Sequence, residues 1–238
     1  SPGSDKGEGI VELPDTSYMI CGTSTSFFNG APQAFLMKID SLGNHLWAKQ
    51  YGGLETETAK RIFHTKDEGF YVFGETNTTP TGDYQIYVFH TDETGALLWE
   101  KNYGTNSWDI LHDAIKLPDT SYVLVGETYG TLDGETDGYI LRLDKNGDTL
   151  FTIQTNFPGV DRFQGIVNYY DTAFAIGGTV WNADSNFSKA YIAVYALDGT
   201  LYWDQQYGDS GNYEILDIEK NNGELLGVGY RISPSDNL

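Results

Sequence analysis

Apolar residues in this chain come in short runs bounded by turn formers, and in several runs consecutive positions are apolar rather than alternate ones. Val123, Leu124 and Val125 follow one another inside Tyr122–Thr128, and Phe70-Tyr71-Val72-Phe73 and Tyr18-Met19-Ile20-Cys21 have the same character. Such runs predict strands covered on both faces. Between Leu111 and Thr155 the pattern reads as four strands. Strand a is about Leu111–Leu117 and strand b is Tyr122–Thr128. Strand c is Tyr139–Asp144 and strand d is Asp148–Thr155. Pro118-Asp119-Thr120-Ser121 and Lys145-Asn146-Gly147 supply turn chemistry between neighbouring strands, and a longer loop, Tyr129–Asp137, joins b to c. No segment carries an apolar period of about 3.6 residues. The chain reads as all-β.

This four-strand unit recurs. Trp47, Trp99, Phe151 and Trp203 are each 52 residues apart, and Gly43, Gly95, Gly147 and Gly199 keep the same step. Gly22, Gly74, Gly126 and Gly178 form a third set, and Leu13-Pro14-Asp15-Thr16-Ser17-Tyr18 returns as Leu117-Pro118-Asp119-Thr120-Ser121-Tyr122 two periods later. Four-stranded sheets with apolar middle strands need a neighbour against each face, and radial packing of blades supplies it. The expected fold is therefore a β-propeller. Its blades span about 8–51, 59–103, 111–155 and 163–207, with half of a fifth over 213–238, in a single domain and a natural protein that continues further. The recurring aromatic on strand d is expected to pack between blades.

Two stretches carry a resemblance. Asp40-Ser-Leu-Gly-Asn-His-Leu-Trp47-Ala-Lys-Gln-Tyr51-Gly-Gly53 and Asp67-Glu-Gly-Phe-Tyr-Val-Phe-Gly74 resemble the secreted β-propeller repeats of Bacteroidetes-type proteins. The resemblance covers essentially the whole chain and implies an exported protein, in the periplasm, on the cell surface or outside the cell. It further implies a link to type IX secretion or to an envelope-associated assembly. One repeat departs most: Phe151 stands in place of Trp and Thr155-Asn156 in place of Tyr-Gly.

Charge narrows the partners. With 34 acidic against 14 basic residues the net charge is −20, which repels nucleic acid and anionic membrane surfaces. No apolar stretch approaches the roughly 18 residues of a membrane span. Cys21 is the sole cysteine, so no internal disulfide forms. Catalytic signals are weak. Gly208-Asp209-Ser210-Gly211 falls on an ordinary d-to-a turn, and His45, His64, His90 and His112 lack metal-ligand spacing. Strand a offers no matched carboxylates, with Glu12, Lys60, Arg61, Asp113 and Gln164 in that region. Asp144, Asn146 and Asp148 alternate as in a Ca²⁺ loop but lack the closing glutamate, which makes calcium a weak candidate cofactor.

Loop lengths point to one face. The b-to-c loops (Ser24–Gln33, Asn77–Tyr84, Tyr129–Asp137 and Val180–Ser188) emerge together with the d-to-a loops and carry Phe27, Phe28, Trp108, Tyr129, Phe157, Trp181 and Phe187. Loop aromatics mark protein or carbohydrate contacts. The leading expectation is a non-catalytic module, not an enzyme, that binds a protein partner in an envelope or secretion complex through this face. The alternative is carbohydrate binding or glycan processing at the cell surface.

Overall fold

The computed structural model describes residues 3–26, 31–65, 68–129, 135–155 and 157–233. Its regular elements are strands: β1 (Asp5–Glu12), β2 (Tyr18–Ser24), β3 (Gln33–Ile39), β4 (His45–Tyr51), β5 (Arg61–Thr65), β6 (Gly69–Thr76), β7 (Gln85–Thr91), β8 (Leu97–Tyr103) and β9 (Asp109–Lys116). They continue with β10 (Tyr122–Tyr129), β11 (Thr136–Leu143), β12 (Thr149–Gln154), β13 (Arg162–Asn168), β14 (Ala173–Asn182), β15 (Phe187–Ala196), β16 (Leu201–Tyr207), β17 (Asn212–Asn221) and β18 (Glu224–Ile232). Four antiparallel meanders, β1-β2-β3-β4, β5-β6-β7-β8, β9-β10-β11-β12 and β13-β14-β15-β16, are followed by the hairpin β17-β18. The fold class is the expected one: all-β, in four-stranded blades of the β-propeller type. No helix among the described residues is long and apolar enough to cross a membrane.

By contacts the chain divides into two compact units, Ser1–Leu111 and His112–Leu238. In the first, Met19, Leu36, Ile62, Phe70, Val72 and Phe89 form one core, and every residue of β6 is buried. The aromatic at the 52-residue step closes that core. Trp47 of β4 lies against the turn before β8, where a Cβ on Gly95 would sit 2.7 Å from its indole. Four residues on, Tyr51 stacks on Phe89 with ring centroids 4.5 Å apart, and its hydroxyl donates to the Gly95 carbonyl at 2.7 Å.

The second unit repeats the device. Phe151 packs against the turn at Gly199, 3.3 Å from where a Cβ on that glycine would lie, over a core of Val125, Ile140, Phe163, Phe174 and Tyr191. Ile215 and Ile218 of β17 cover Ala175 and Val194 of the preceding sheet. These aromatics act as inter-blade packing residues. Strands β1, β13 and β17 also share a bulge at one repeat position, between Gly7 and Gly9, Phe163 and Gly165, and Ile215 and Asp217.

The fourth blade corrects one expectation. Val180–Ser188 is not a long loop, because β14 and β15 continue their pairing through Trp181 opposite Ser188 and Asn182 opposite Phe187. The cause is local turn chemistry. Asn182 Oδ1 accepts the Ser185 N–H at 3.0 Å, and Asn186 takes the left-handed conformation at φ 57°.

Two glycines separate backbone strain from packing. Gly43 has φ 83° with nothing within 4 Å of where a Cβ would lie, whereas Gly95 has φ 74° and faces the Trp47 ring. Gly43→Ala should cost about 1–2 kcal/mol from the left-handed conformation alone. Gly95→Ala should cost about 1–3 kcal/mol more through overpacking, read as the difference in urea unfolding free energies. Cys21 is fully buried, and burial pushes its thiol up to about 12. An aromatic disulfide reagent at pH 8 should therefore label the chain only as it unfolds.

Candidate functional site

A carboxylate begins each full repeat. Asp5, Glu57, Asp109 and Asp161 stand 52 residues apart, at or just before strand a, and the last three are fully buried. Each ties the incoming chain to neighbouring donors. Asp5 accepts from the hydroxyls of Ser24 and Ser26, which hold its carboxyl below the usual range. Glu57 accepts from Thr76 Oγ1 at 2.8 Å and from Thr78 Oγ1. Asp109 accepts the Thr105 N–H at 2.7 Å, and Asp161 accepts the Trp181 N–H at 3.1 Å. The strand a region read from sequence, with Glu12, Lys60, Arg61, Asp113 and Gln164, still offers no matched set, and the periodic carboxylates stand ahead of it. The signal was present in the sequence at the repeat period, but at the rim of the strands rather than within them.

The second repeat has a glutamate where the others have aspartate, and its longer arm reaches a cavity of about 280 Å³. Gly52 makes room for it. At φ 116°, a Cβ there would lie 2.6 Å from Glu57 Oε2. That oxygen is buried and has no hydrogen-bond partner, while Oε1 takes the threonine hydroxyls. Tyr87, Glu100 and Asn102 complete the polar wall. The Tyr87 hydroxyl donates to Glu100 Oε2, and burial raises the phenol far above its ordinary value, so it stays a donor throughout the neutral range. The Lys101 ammonium stands 5.5 Å from the Trp99 ring centroid. The cavity thus offers two carboxylates, one with an uncommitted oxygen, beside hydroxyl and amide groups. This set suits a ligand that brings its own hydroxyl donors.

The residues singled out from sequence are dispersed. Phe27 and Phe28 lie outside the described residues. Trp108 is 46% exposed, its Nε1–H donating to Asp83 Oδ1 at 3.0 Å and its ring edge-on to Tyr84. Tyr129 ends β10 opposite Thr136. Phe157 packs edge-on against Tyr191 and joins the core of its unit. Trp181 covers Gly159, where a Cβ would meet the indole at 2.5 Å, and with Glu135, Pro158 and Val160 borders a cavity of about 320 Å³. Phe187 opens β15. Asp144 caps the hairpin turn, its Oδ1 accepting the N–H groups of Asn146 and Asp148, both at 2.8 Å. The Glu57 cavity lies at the expected loop ends, the b-to-c and d-to-a junctions, but contains none of these residues.

No protein-family model matches the sequence, and no curated protein does. Among solved structures the chain is similar to a candidate exo-β-1,3-galactanase from Bifidobacterium bifidum, at 13% identity and a TM-score of 0.47, over 96% of this chain and 82% of that one. It is also similar to an endo-arabinase from Bacteroides thetaiotaomicron, at 12% identity and a TM-score of 0.45, over 98% and 93%. A third is an apocarotenoid oxygenase from Synechocystis, at 11% identity and a TM-score of 0.48, over 90% and 53%. The first two are named as glycan-acting enzymes rather than scaffolds. That finding goes against the expectation of a non-catalytic protein-binding module and of a chain that is no enzyme, and both expectations are withdrawn. At this identity the likeness transfers no substrate and no catalytic residue.

The phenol–carboxylate contact can be measured. A double-mutant cycle with Tyr87→Phe and Glu100→Gln should return a coupling of about 1 kcal/mol in urea unfolding, and additive single effects would deny it.

Proposed function

We propose that this protein recognises a neutral glycan, with one sugar residue seated in the Glu57 cavity. The observation that supports this most is Glu57 Oε2, a buried carboxylate oxygen without a partner on a polar cavity. A buried acceptor left unmade costs roughly 1–3 kcal/mol, and a ligand hydroxyl that donates to it recovers that cost. Adjacent sugar hydroxyls match the spacing of a carboxylate. The net charge of −20 disfavours sulfated or uronic-acid polymers, which leaves neutral chains as the substrate class. The resemblance of the repeats to secreted propellers supports an exported setting, where polymeric glycans are met.

A second reading, hydrolysis, is favoured by Glu57 and Glu100 lining one cavity, since glycoside cleavage employs a pair of carboxyl groups. In it one carboxyl protonates the leaving oxygen and the other activates water or attacks the sugar.

Calorimetry against neutral polysaccharides, β-1,3-galactan and arabinan among them, tests recognition. Glu57→Gln should weaken binding at least about tenfold while the unfolding midpoint holds, because the amide oxygen still accepts from Thr76 and Thr78. Reducing-end release that disappears in both Glu57→Gln and Glu100→Gln would establish hydrolysis. Binding of no neutral glycan, or equal binding by Glu57→Gln, would end the proposal.

A further inference from the structure

The opening residue of strand c shows what the third blade has lost. Gln33, Gln85, Asp137 and Lys189 occupy it at the 52-residue step. In three blades that residue sends a donor to carbonyls of the d-to-a loop. Gln33 Nε2 reaches the Glu55 carbonyl at 2.6 Å, Gln85 Nε2 the Thr105 carbonyl at 3.1 Å, and Lys189 Nζ the Gly208 carbonyl at 3.4 Å. In the third blade the same position holds Asp137, an acceptor and 2% exposed, whose Oδ2 takes the Gln154 amide at 2.7 Å.

The carboxylate facing it has lost a donor as well. Asp161 is fully buried and pairs Oδ1 with the Trp181 N–H, while Oδ2 has no hydrogen-bond partner. Ser24 and Thr76 give hydroxyls to the equivalent Asp5 and Glu57, and the residue at that step is Val180. The Asp161 N–H donates to the Thr136 carbonyl at 2.7 Å, which sets Asp161 beside the start of β11, where the Asp137 charge acts on it. Relative to the other blades, this place has a valine for a hydroxyl and a carboxylate for an amide or ammonium, while Asp161 keeps the Trp181 N–H and bonds from Thr155 and Phe157. Burying two carboxylates near one another is costly, and a cation where the glutamine amide or lysine ammonium sits in the other blades offsets that cost.

We propose that Asp137 and Asp161 bind a hard divalent cation, calcium by the chemistry of the oxygen donors, between β11 and the segment leading into β13. Among the described residues no group of three or more His, Cys, Asp or Glu side chains gathers as a metal site, so backbone carbonyls and water complete the ligands. Two carboxylates place the affinity with weak extracellular calcium modules, roughly 10⁻⁴–10⁻³ M. This site is separate from the Glu57 cavity and independent of what that cavity binds.

The test uses the whole 238-residue chain, with unfolding followed in EDTA and in millimolar calcium chloride. Calcium should raise the midpoint by about 3 °C or more, and magnesium should raise it less. Asp137→Gln restores the donor of the other blades. It should melt above the unsubstituted chain in EDTA and lose the calcium response. Terbium added alone should luminesce through Trp181, and Trp181→Phe and Asp161→Asn should each lower that emission several-fold. Asp161→Asn serves as the second ligand variant should Asp137→Gln not fold. A midpoint indifferent to calcium, or a calcium response and terbium emission retained in either ligand variant, would overturn the proposal.

Discussion

A hydrogen-bonded carboxylate at the mouth of each full blade, exposed in the first and buried in the other three, is the constraint on which the loop end of this structure depends. The apolar repeat accounts for the sheets, since the middle strands are covered on both faces and aromatics such as Trp47 and Phe151 lock one sheet onto the next turn. It does not position the connections. Those are held by Asp5, Glu57, Asp109 and Asp161, which place an acceptor where the chain turns from one blade into the next. A buried charge is tolerable only where donors surround it. The donors are supplied locally, by Ser24 and Ser26, by Thr76 and Thr78, and by the Thr105 backbone.

Function enters where that supply falls short. In the second blade the longer arm of Glu57 leaves one buried oxygen without a partner beside a cavity the residue lines, with Gly52 making space behind it. At the start of the fourth, Val180 stands where Ser24 and Thr76 supply hydroxyls in other blades and Asp137 of the third blade adds a charge, and burial together with that charge raises the Asp161 carboxyl to about 7. The repeat therefore acts as an internal control: the same position, satisfied in one blade and unsatisfied in the next, separates structural carboxylates from those available to a ligand.

The fold was legible because its signals are redundant. Trp47, Trp99 and Trp203 share a period with the turn glycines, and the packing of Trp47 on Gly95 and of Phe151 on Gly199 uses both. The site was less legible. The carboxylates keep that period, yet they lie where apolar patterning ends, so strands read from hydrophobic runs begin two or three residues too late to include them. Glu57 looks like a surface residue in sequence, and only Gly52, Thr76 and Thr78 around it reveal its burial. The aromatics were misleading for the opposite reason. Phe157 sits in a loop but packs, partly buried, against the core, and Trp181 belongs to a strand that Asn182 and Asn186 extend into a hairpin.

The claim that hydroxyl donors sustain these buried carboxylates is tested most directly by opposite substitutions at one repeat position, compared in EDTA by equilibrium unfolding. Thr76→Val removes a donor from Glu57, and Val180→Thr offers one to Asp161. The account predicts opposite changes, a loss of about 1–3 kcal/mol in the first and a gain of about 1 kcal/mol in the second. Two changes of the same sign, or none in either, would contradict it.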